Sequence, residues 1–395
     1  MRYPPAAVIN LDHNATTPLH PRVRAAMIEV LERTDLGNPS STHGLGRACR
    51  EVVEGARRRV AAAVDAPALG VTFTSGGTEA DNLALLGGAE ALRKAGKAYG
   101  VATSRIEHPA IVAAAEALEA RGVPVVWIPV EPDGHVTPDA VADVLRTHDE
   151  VGLVSVAAAN HELGNVQPIA AIVEAVRAVR DGVLVHTDAV QALGKVPVRF
   201  GAWGVDLLSV SSHKVYGPTG IGALIHPTHL TLAPRSFGGA QERGRRVGTE
   251  NWMAAHGFGV ACSLLDESLQ QLEALTPLRD RLAEHVRAAG GRVHGAPALA
   301  NTLNFAFEGA PGELMCMSLD LEGIAASTGS ACSAGSLEPS KVLLGLGQTP
   351  EQASEAVRIS MGRSTTEADV ARLIDVLPII VSRVRKAHAQ GSSAS

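Results

Sequence analysis

The segment HTDAVQALGKVPVRFGAWGVDLLSVSSHKVYGP, residues 186–218, decides the fold because it contains the ends of two apolar strands that both finish in polar residues. The first strand, GVLVHTD, is rich in β-branched residues and ends at Asp188. The second, DLLSVSSHK, ends in Ser211, His213 and Lys214. Open α/β sheets build their sites at the carboxyl ends of such strands. The segment therefore predicts an α/β fold with a polar site at one edge of the sheet.

An acid on one strand and a lysine on the next suggest pyridoxal phosphate chemistry. A lysine amine can form a Schiff base, and Asp188 can keep the pyridine nitrogen protonated so that the ring accepts electrons. Ser211 and His213 would then bind the phosphate, and Gln191 would reach the ring hydroxyl. A second interpretation stands beside this one, in which Lys214 is a surface lysine and Asp188 caps a helix.

The composition is that of a globular protein without a nucleic-acid or membrane signature. The chain has 395 residues, 46% of them hydrophobic and 19% charged, which suffices for one large and one small domain. A net charge of −6 and 3% aromatic residues argue against nucleic-acid binding. No signal peptide and no apolar run of membrane-spanning length is apparent. Four scattered cysteines predict neither disulfides nor a metal site, so we expect a cytoplasmic protein.

A glycine-rich turn gives a second indication of phosphate binding. The strand VTFT is followed by SGGTEADN, in which Gly77 and Thr78 lie where a helix begins. A helix N-terminus offers unpaired N–H groups and a positive dipole end to an anion. Glycine also serves ordinary turns, so the motif gains weight only because Lys214 already requires a phosphate site.

Strands and helices alternate from this turn to about residue 225, which predicts a mainly parallel sheet. The alternation places His108 and Asn160 beyond strand ends, at the same edge as Asp188 and Lys214. A histidine before a helix is usually a cap or a surface residue. At this edge it could instead stack on a cofactor ring and move protons.

The pattern changes after residue 225. The loop GGAQERGRRVGTEN contains three arginines and Thr249. It is either a solvated charged loop or a loop that reaches a phosphate in a neighbouring subunit. A helical stretch over residues 253–289 leads to a region with fewer strands, as in a small α+β domain. Residues 389–395 are expected to form a disordered tail.

A loop of small residues, AASTGSACSAGS over residues 325–336, contains Cys332. Such loops are often mobile linkers. This cysteine is nevertheless the only one of the four outside an apolar helical setting, and an exposed thiol is reactive. Beside a pyridoxal phosphate site, its simplest task is attack on a sulfur that the cofactor has made electrophilic.

Taken in order, the motifs resemble the cysteine desulfurases of the NifS/IscS type, which are fold-type I enzymes of the class V aminotransferases. The resemblance covers nearly the whole chain, and the long SACSAGSLEPS loop is similar to the desulfurase group with an extended, mobile cysteine loop. It rests on the motifs LDHNATTP, GNPSS, FTSGGTEADN, EHPA, NHELG, HTDAVQALGKVP, SSHKVYGPTGIGAL, GGAQERGRRVGTEN, STGSACSAGSLEPS and RISMGR.

The resemblance implies a role for each cofactor-binding residue. Lys214 would form the Schiff base, Asp188 would pair with the pyridine nitrogen, and Gln191 would contact the ring hydroxyl. His108 would stack on the ring and transfer protons. The phosphate ligands would be Gly77, Thr78, Ser211 and His213, with Thr249 of the partner subunit.

The resemblance also implies the substrate and the sulfur acceptor. Asn160 and Arg358 would hold the carboxylate of L-cysteine, with Asn38 close by, and Cys332 would take the sulfur. Ser212 stands where the family commonly has glycine, a change that we expect to be tolerated. Partners would be a second copy of the chain in a homodimer and an iron–sulfur scaffold or another sulfur acceptor.

The implied organisation is a large domain over residues 18–265 and a small domain from residues 1–17 and 266–388. The implied reaction yields L-alanine and a persulfide on the cysteine. A selenocysteine lyase or aminotransferase on the same scaffold would not depend on Cys332. A sulfur-carrier platform would not turn over cysteine at all.

Overall fold

The fold is described by a computed structural model over residues 8–329 and 338–392. Its strands are, in chain order, β1 Ile9–Asn10, β2 Val71–Thr74, β3 Gly100–Thr103, β4 Val125–Trp127, β5 Val151–Ser155, β6 Leu184–Asp188, β7 Leu207–Ser211, β8 Gly222–Ile225, β9 Arg292–Val293, β10 Thr302–Ala306, β11 Ile324–Ala325 and β12 Ala356–Ser360. Its helices are α1 Pro21–Leu31, α2 Gly44–Ala63, α3 Gly77–Asn82, α4 Gly88–Lys94, α5 Pro109–Glu119, α6 Pro138–Thr147, α7 Ile169–Val179, α8 Phe200–Trp203, α9 Trp252–Cys262, α10 Leu265–Glu273, α11 Thr276–Ala288, α12 Gly312–Leu321, α13 Lys341–Gly345, α14 Pro350–Ser354 and α15 Glu367–Ser392.

Seven strands form the central sheet, in the order β2-β8-β7-β6-β5-β3-β4. The five strands from β7 to β4 run parallel to one another, whereas β8 is antiparallel to both of its neighbours. Helices connect successive parallel strands, as parallel pairing requires. The predicted mainly parallel α/β fold is confirmed.

The central strands are apolar throughout because both faces of the sheet are covered. Val154, Val185 and Leu208 pack into one hydrophobic cluster. Leu153, directly before Val154, and Leu207, directly before Leu208, pack into a second cluster on the opposite face. Successive side chains of a strand point to opposite faces, so two-sided burial needs an apolar residue at nearly every position.

The C-terminal region has its own sheets and core. Strands β12, β10 and β9 form an antiparallel sheet, and β1 pairs in parallel with β11. Leu11, which follows β1, lies in the same hydrophobic cluster as Leu303, Ile359 and Leu377. The first described strand therefore belongs structurally to the C-terminal region, next to the strand that carries Arg358.

Two predicted boundaries differ from the structure. The helical stretch predicted over residues 253–289 is three helices, α9, α10 and α11. The last helix, α15, continues to Ser392, so residues 389–392 are helical where a disordered tail was predicted. Alanine and glutamine are good helix formers, and extending an existing helix costs far less than starting one. Among the described residues, no helix is both long and apolar enough to cross a membrane.

Candidate active site

A cavity of about 170 Å³ lies at the carboxyl ends of β6 and β7, where the sequence predicted a site. Its lining residues are Asn14, Ala15, Gly77, Thr78, Asp81, His108, Ala157, Ala159, His161, Asp188, Val190, Gln191, Ser211, His213, Lys214 and Arg358. The fold thus brings together residues from the first described strand region, from the ends of five strands of the central sheet (β2, β3, β5, β6 and β7) and from β12.

One end of the cavity is built for an anion. Gly77 begins α3, and a side chain there would require Val190 to shift, because a Cβ would lie 2.7 Å from Cγ2 of Val190. A single π-helical segment, residues 83–87, joins α3 to α4, so the N–H groups at Gly77 start one long helical run. Ser211 Oγ is buried and has no hydrogen-bond partner among the described residues. Helix N–H groups and an unpaired hydroxyl suit a phosphate.

His213 lies at the same end, in a short helical turn that follows β7. Burial and the Lys214 charge lower the pKa of His213 to about 4, so its ring is neutral at pH 7. Its Nδ1 lies 3.2 Å from Thr16 Oγ1. A second cavity, about 240 Å³ in volume, continues outward from here and is lined by Gly77, Thr78, Ser211 and His213 together with Thr219.

Two carboxyl groups lie beneath the middle of the cavity. Asp188 is buried, and its Oδ1 accepts a hydrogen bond of 2.8 Å from the Val190 N–H. Burial raises the pKa of Asp188. Burial and the charge of Asp188 raise the pKa of the neighbouring Asp81 well above its ordinary value. An added positive charge over Asp188 would favour its ionised form.

Lys214 reaches the cavity from the turn after β7. Its Nζ donates to the backbone oxygens of Asn14 at 2.5 Å and of Ala15 at 2.8 Å. Gln191 Nε2 donates to the same Asn14 oxygen at 3.0 Å, and Lys195 Nζ bonds both Gln191 Oε1 and, at 2.7 Å, Asn14 Oδ1. Burial and the Lys214 charge lower the pKa of Lys195 well below its ordinary value. The backbone oxygens of this N-terminal segment therefore orient the side chains of Lys214 and Gln191.

Two histidines form the wall opposite the sheet. His108 caps α5, and its Nδ1 accepts a 3.1 Å hydrogen bond from the Ala110 N–H. The His161 ring contacts it edge-on at 5.2 Å between centroids. Burial, followed by the His161 and Lys214 charges, lowers the pKa of His108 to about 3. A neutral His108 with an accepting Nδ1 carries its hydrogen on Nε2.

Arg358 supplies a buried positive group at the far end. It lies on β12, and only 2% of its side chain is exposed. Its Nη2 donates to Asp12 Oδ1 at 2.7 Å and its Nη1 to the His161 carbonyl oxygen at 3.1 Å. Its Nε has no partner among the described residues. A guanidinium in such a wall suits a ligand carboxylate.

Residues 9–373 match the family described as Aminotransferase class-V. This chain belongs to the class-V aminotransferase family. It is 42% identical to the IscS-like cysteine desulfurase of Mycobacterium tuberculosis over 98% of this chain and 99% of that protein. It is 40% identical to the cysteine desulfurase IscS of Dictyoglomus turgidum over 95% of each chain. The predicted resemblance is confirmed.

Solved structures agree with the class-V fold. A NifS-like protein superposes with a TM-score of 0.87 at 31% identity, covering 95% of this chain and 99% of that one. The structure titled "SspA in complex with cysteine" superposes with a TM-score of 0.77 at 29% identity, covering 91% and 100%. The predicted fold-type I architecture is confirmed.

Class-V enzymes generally use pyridoxal phosphate, and the cavity of this family member fits that group. The unpaired Ser211 Oγ and the Gly77 cradle suit its phosphate. Asp188 is a buried acid in the cavity wall, and an acid in that position can pair with a protonated ring nitrogen. Lys214 lines the same cavity. These residues would therefore hold the phosphate, the ring nitrogen and the aldehyde of the cofactor.

Three predicted site residues that the structure describes, Asn160, Asn38 and Thr249, do not line the cavity. Asn160 is buried, but its Oδ1 accepts from the Glu162 and Leu163 N–H groups at 2.9 Å and its Nδ2 donates to Ile106. Asn38 lies in an exposed turn and accepts from the Ser40 N–H. Thr249 is exposed, and Cys332 lies outside the described residues. Their predicted roles remain predictions.

The sequence analysis did not single out several residues that line the cavity or bond its lining residues. These are Asn14, Asp81, His161 and Lys195, all within motifs that the sequence analysis quoted. Lys195 could have been found from the sequence, because it lies only four residues after the predicted cofactor contact Gln191. The sequence contains no such signal for Asn14, since it bonds residues at least 147 positions away in the chain.

Ser212, where the family commonly has glycine, leaves the strand end regular. Ser211 keeps extended backbone angles, φ −137° and ψ 134°, and pairs with Gly222 across the sheet. The Ser212 hydroxyl occupies space opposite Gly217, where a Cβ would lie 2.1 Å from Ser212 Oγ. The glycine at position 217 thus makes room for the serine.

Proposed function

We propose that this chain is a cysteine desulfurase that uses pyridoxal phosphate to convert L-cysteine into L-alanine, leaving a persulfide on Cys332. The observation that carries the proposal is the single cavity in which Lys214, Asp188 and Arg358 meet an anion-binding turn. The proposed substrate and reaction come from relatives that match nearly the whole chain and are named cysteine desulfurases.

The residues at the cofactor end of the cavity support the following roles. Pyridoxal phosphate, when bound, would supply an electron sink that weakens bonds at the substrate α-carbon. Lys214 would hold its aldehyde, and the free Lys214 amine can take the α-proton of the substrate. Asp188 keeps the ring nitrogen protonated, and Gln191 contacts the ring hydroxyl. Gly77, Thr78, Ser211 and His213 bind the phosphate.

The substrate end orients L-cysteine. Arg358 binds the carboxylate by donating hydrogen bonds to it. Its bonds to Asp12 and to the His161 carbonyl oxygen keep the guanidinium plane fixed. Asn160 and Asn38 are further candidates for this carboxylate. Burial lowers the pKa of His108 to about 3, so at pH 7 its neutral ring presents Nε2–H as a hydrogen-bond donor. Stacking on the cofactor ring and proton transfer are its proposed roles.

Cys332 acts as the nucleophile toward the substrate sulfur. Its thiolate attacks that sulfur and forms an S–S bond, and the electron pair of the broken C–S bond returns to the substrate carbon. Protonation of that carbon gives alanine. The persulfide is then passed to an iron–sulfur scaffold or another acceptor, which regenerates the thiol.

We further propose a two-fold homodimer in which Thr249 completes the phosphate site of the partner. Thr249 is exposed and lies outside its own cavity wall. Phe237, in the same loop region, exposes 86% of its surface, and Leu69, Ile28 and Leu31 expose about half of theirs. Arg243 of the loop donates to the Leu69 carbonyl oxygen, so this exposed leucine lies beside the loop. Two-fold closure is the commonest oligomeric symmetry.

The test is turnover of L-cysteine with a reductant present, with sulfide and alanine measured in the same sample. Wild-type protein should release both in equal amounts, and Cys332→Ser should release neither at a comparable rate. A Cys332→Ser protein that keeps the wild-type rate on L-cysteine would identify a lyase. A protein that forms no alanine would be a sulfur-carrier platform instead.

A further inference from the structure

A buried ion pair fixes the loop that carries Thr249. Arg57, on α2, forms two bonds with Glu242, from Nη1 at 2.7 Å and from Nη2 at 2.8 Å. Their side chains are only 4% and 2% exposed. Glu242 also accepts a 3.0 Å bond from the Phe73 N–H, and Arg57 donates to the Val71 carbonyl oxygen at 2.8 Å. The pair thus joins α2, β2 and the loop.

The backbone at this pair is held in an unfavourable conformation. Glu242 has φ 44° and Arg243 has φ 56°, both in the left-handed region, and Gly244 follows at φ 76°. Residues with a Cβ adopt this region only where the surroundings hold them there. The two bonds to Arg57 are such a restraint, because a forked pair fixes the carboxylate in plane and in distance.

The loop has a second attachment, at the phosphate turn of its own chain. Arg246 Nε donates to Glu79 Oε1 at 3.2 Å, and Glu79 Oε2 accepts from the Ser75 N–H at 2.6 Å. Ser75 directly precedes the glycines of that turn. The loop is therefore held at Glu242 and at Arg246, three residues before the exposed Thr249.

We propose that Arg57 and Glu242 are positioning residues for cofactor phosphate binding across the dimer, because they hold Thr249 where the partner subunit's phosphate can meet it. The inference rests on the proposed homodimer. It adds that the affinity of one subunit for phosphate is set by an ion pair buried in the other.

The first test compares pyridoxal phosphate with pyridoxal, which lacks the phosphate. Glu242→Gln keeps the shape of the side chain and removes its charge. It should raise the dissociation constant for pyridoxal phosphate about tenfold and leave that for pyridoxal unchanged. Glu54→Gln is the matched control, since Glu54 also bonds Arg57, at 3.1 Å, but is not part of the loop. An equal loss for both compounds would mean general destabilisation and would overturn the proposal.

A second variant keeps the proposal testable if Glu242→Gln does not fold. Arg246→Gln removes the other attachment, at a side chain 28% exposed. It should weaken binding of pyridoxal phosphate in the same direction, again without an effect on pyridoxal. Unchanged affinity for both compounds in a folded variant of either kind would refute a positioning role for the loop.

The last test distinguishes an effect of Glu242 on its own subunit from an effect on the partner subunit. In mixed dimers with Lys214→Ala in one subunit, only the other subunit holds the cofactor covalently, and its visible absorbance reports release. Glu242→Gln placed in the Lys214→Ala subunit should speed release about tenfold. The same change in the lysine-bearing subunit should not, and the opposite pattern would overturn action across the interface. Absence of alanine formation would refute the proposed activity without affecting these binding results.

Discussion

Replacing Arg358 by lysine tests how the substrate is held. The change keeps a positive charge on β12 but removes the planar fork, so at most one direct bond to a carboxylate remains. A hydrogen bond to a charged group contributes about 1.5–3 kcal/mol. Because about 1.4 kcal/mol corresponds to a factor of ten, kcat/KM for L-cysteine should fall about 10- to 100-fold. Most of the loss should appear in KM, since the carboxylate is bound before and during the reaction.

Cysteamine, which is cysteine without its carboxylate, makes the measurement specific. We expect the Arg358→Lys protein to lose much more activity on L-cysteine than on cysteamine, so that the ratio of the two kcat/KM values shrinks. Arg281→Lys is the control, because Arg281 forms an exposed ion pair with Glu367. The melting temperature of the Arg358→Lys protein shows whether loss of the 2.7 Å bond between Arg358 and Asp12 destabilises the fold. Equal losses on both substrates would refute carboxylate binding by Arg358.

The remaining predictions concern the cofactor, the sulfur and the pH dependence. Borohydride treatment of the yellow protein should leave the cofactor on Lys214 alone, as peptide mass spectrometry would show, and a label on another lysine would contradict the assignment. Cys332→Ser should keep its cofactor colour while sulfide release falls by orders of magnitude; unchanged release would disprove the nucleophile. Burial raises the pKa of Glu107 to about 8, above its ordinary 4.5, so its contribution to stability is complete below pH 4.5 and is lost as the pH rises through 8. Glu107→Gln should flatten the pH dependence of the free energy of unfolding over that range, and an unchanged slope would refute this.

The sequence was informative wherever chemistry follows a strand directly. Asp188 ends β6, and Lys214 follows β7 by three residues, so strand periodicity alone placed them at one edge. Gly77 and Thr78 were found in the same way, from the turn after β2. Parallel strands bring their carboxyl ends together regardless of how the connecting helices pack, which is why this part of the site could be predicted.

Other parts depend on tertiary packing. Asn14 meets Lys195 and Lys214 only because β1 joins the C-terminal region and carries the segment after it to the cavity. No local pattern encodes that approach. Thr249 and Asn38 do not line this cavity, so their predicted roles rest on the family resemblance alone.

The hydrogen bonds that the fold leaves unmade indicate what the cavity binds. Ser211 Oγ and Arg358 Nε are buried without a partner among the described residues, and both residues line one cavity. A buried polar group without a partner costs about 1–3 kcal/mol, so two of them in one small cavity weaken the empty fold measurably. A ligand with an anionic group at each end would offset both costs. Cofactor phosphate at Ser211 and substrate carboxylate at Arg358 meet that description, and Asp188, which lines the same cavity, can pair with a positive ring.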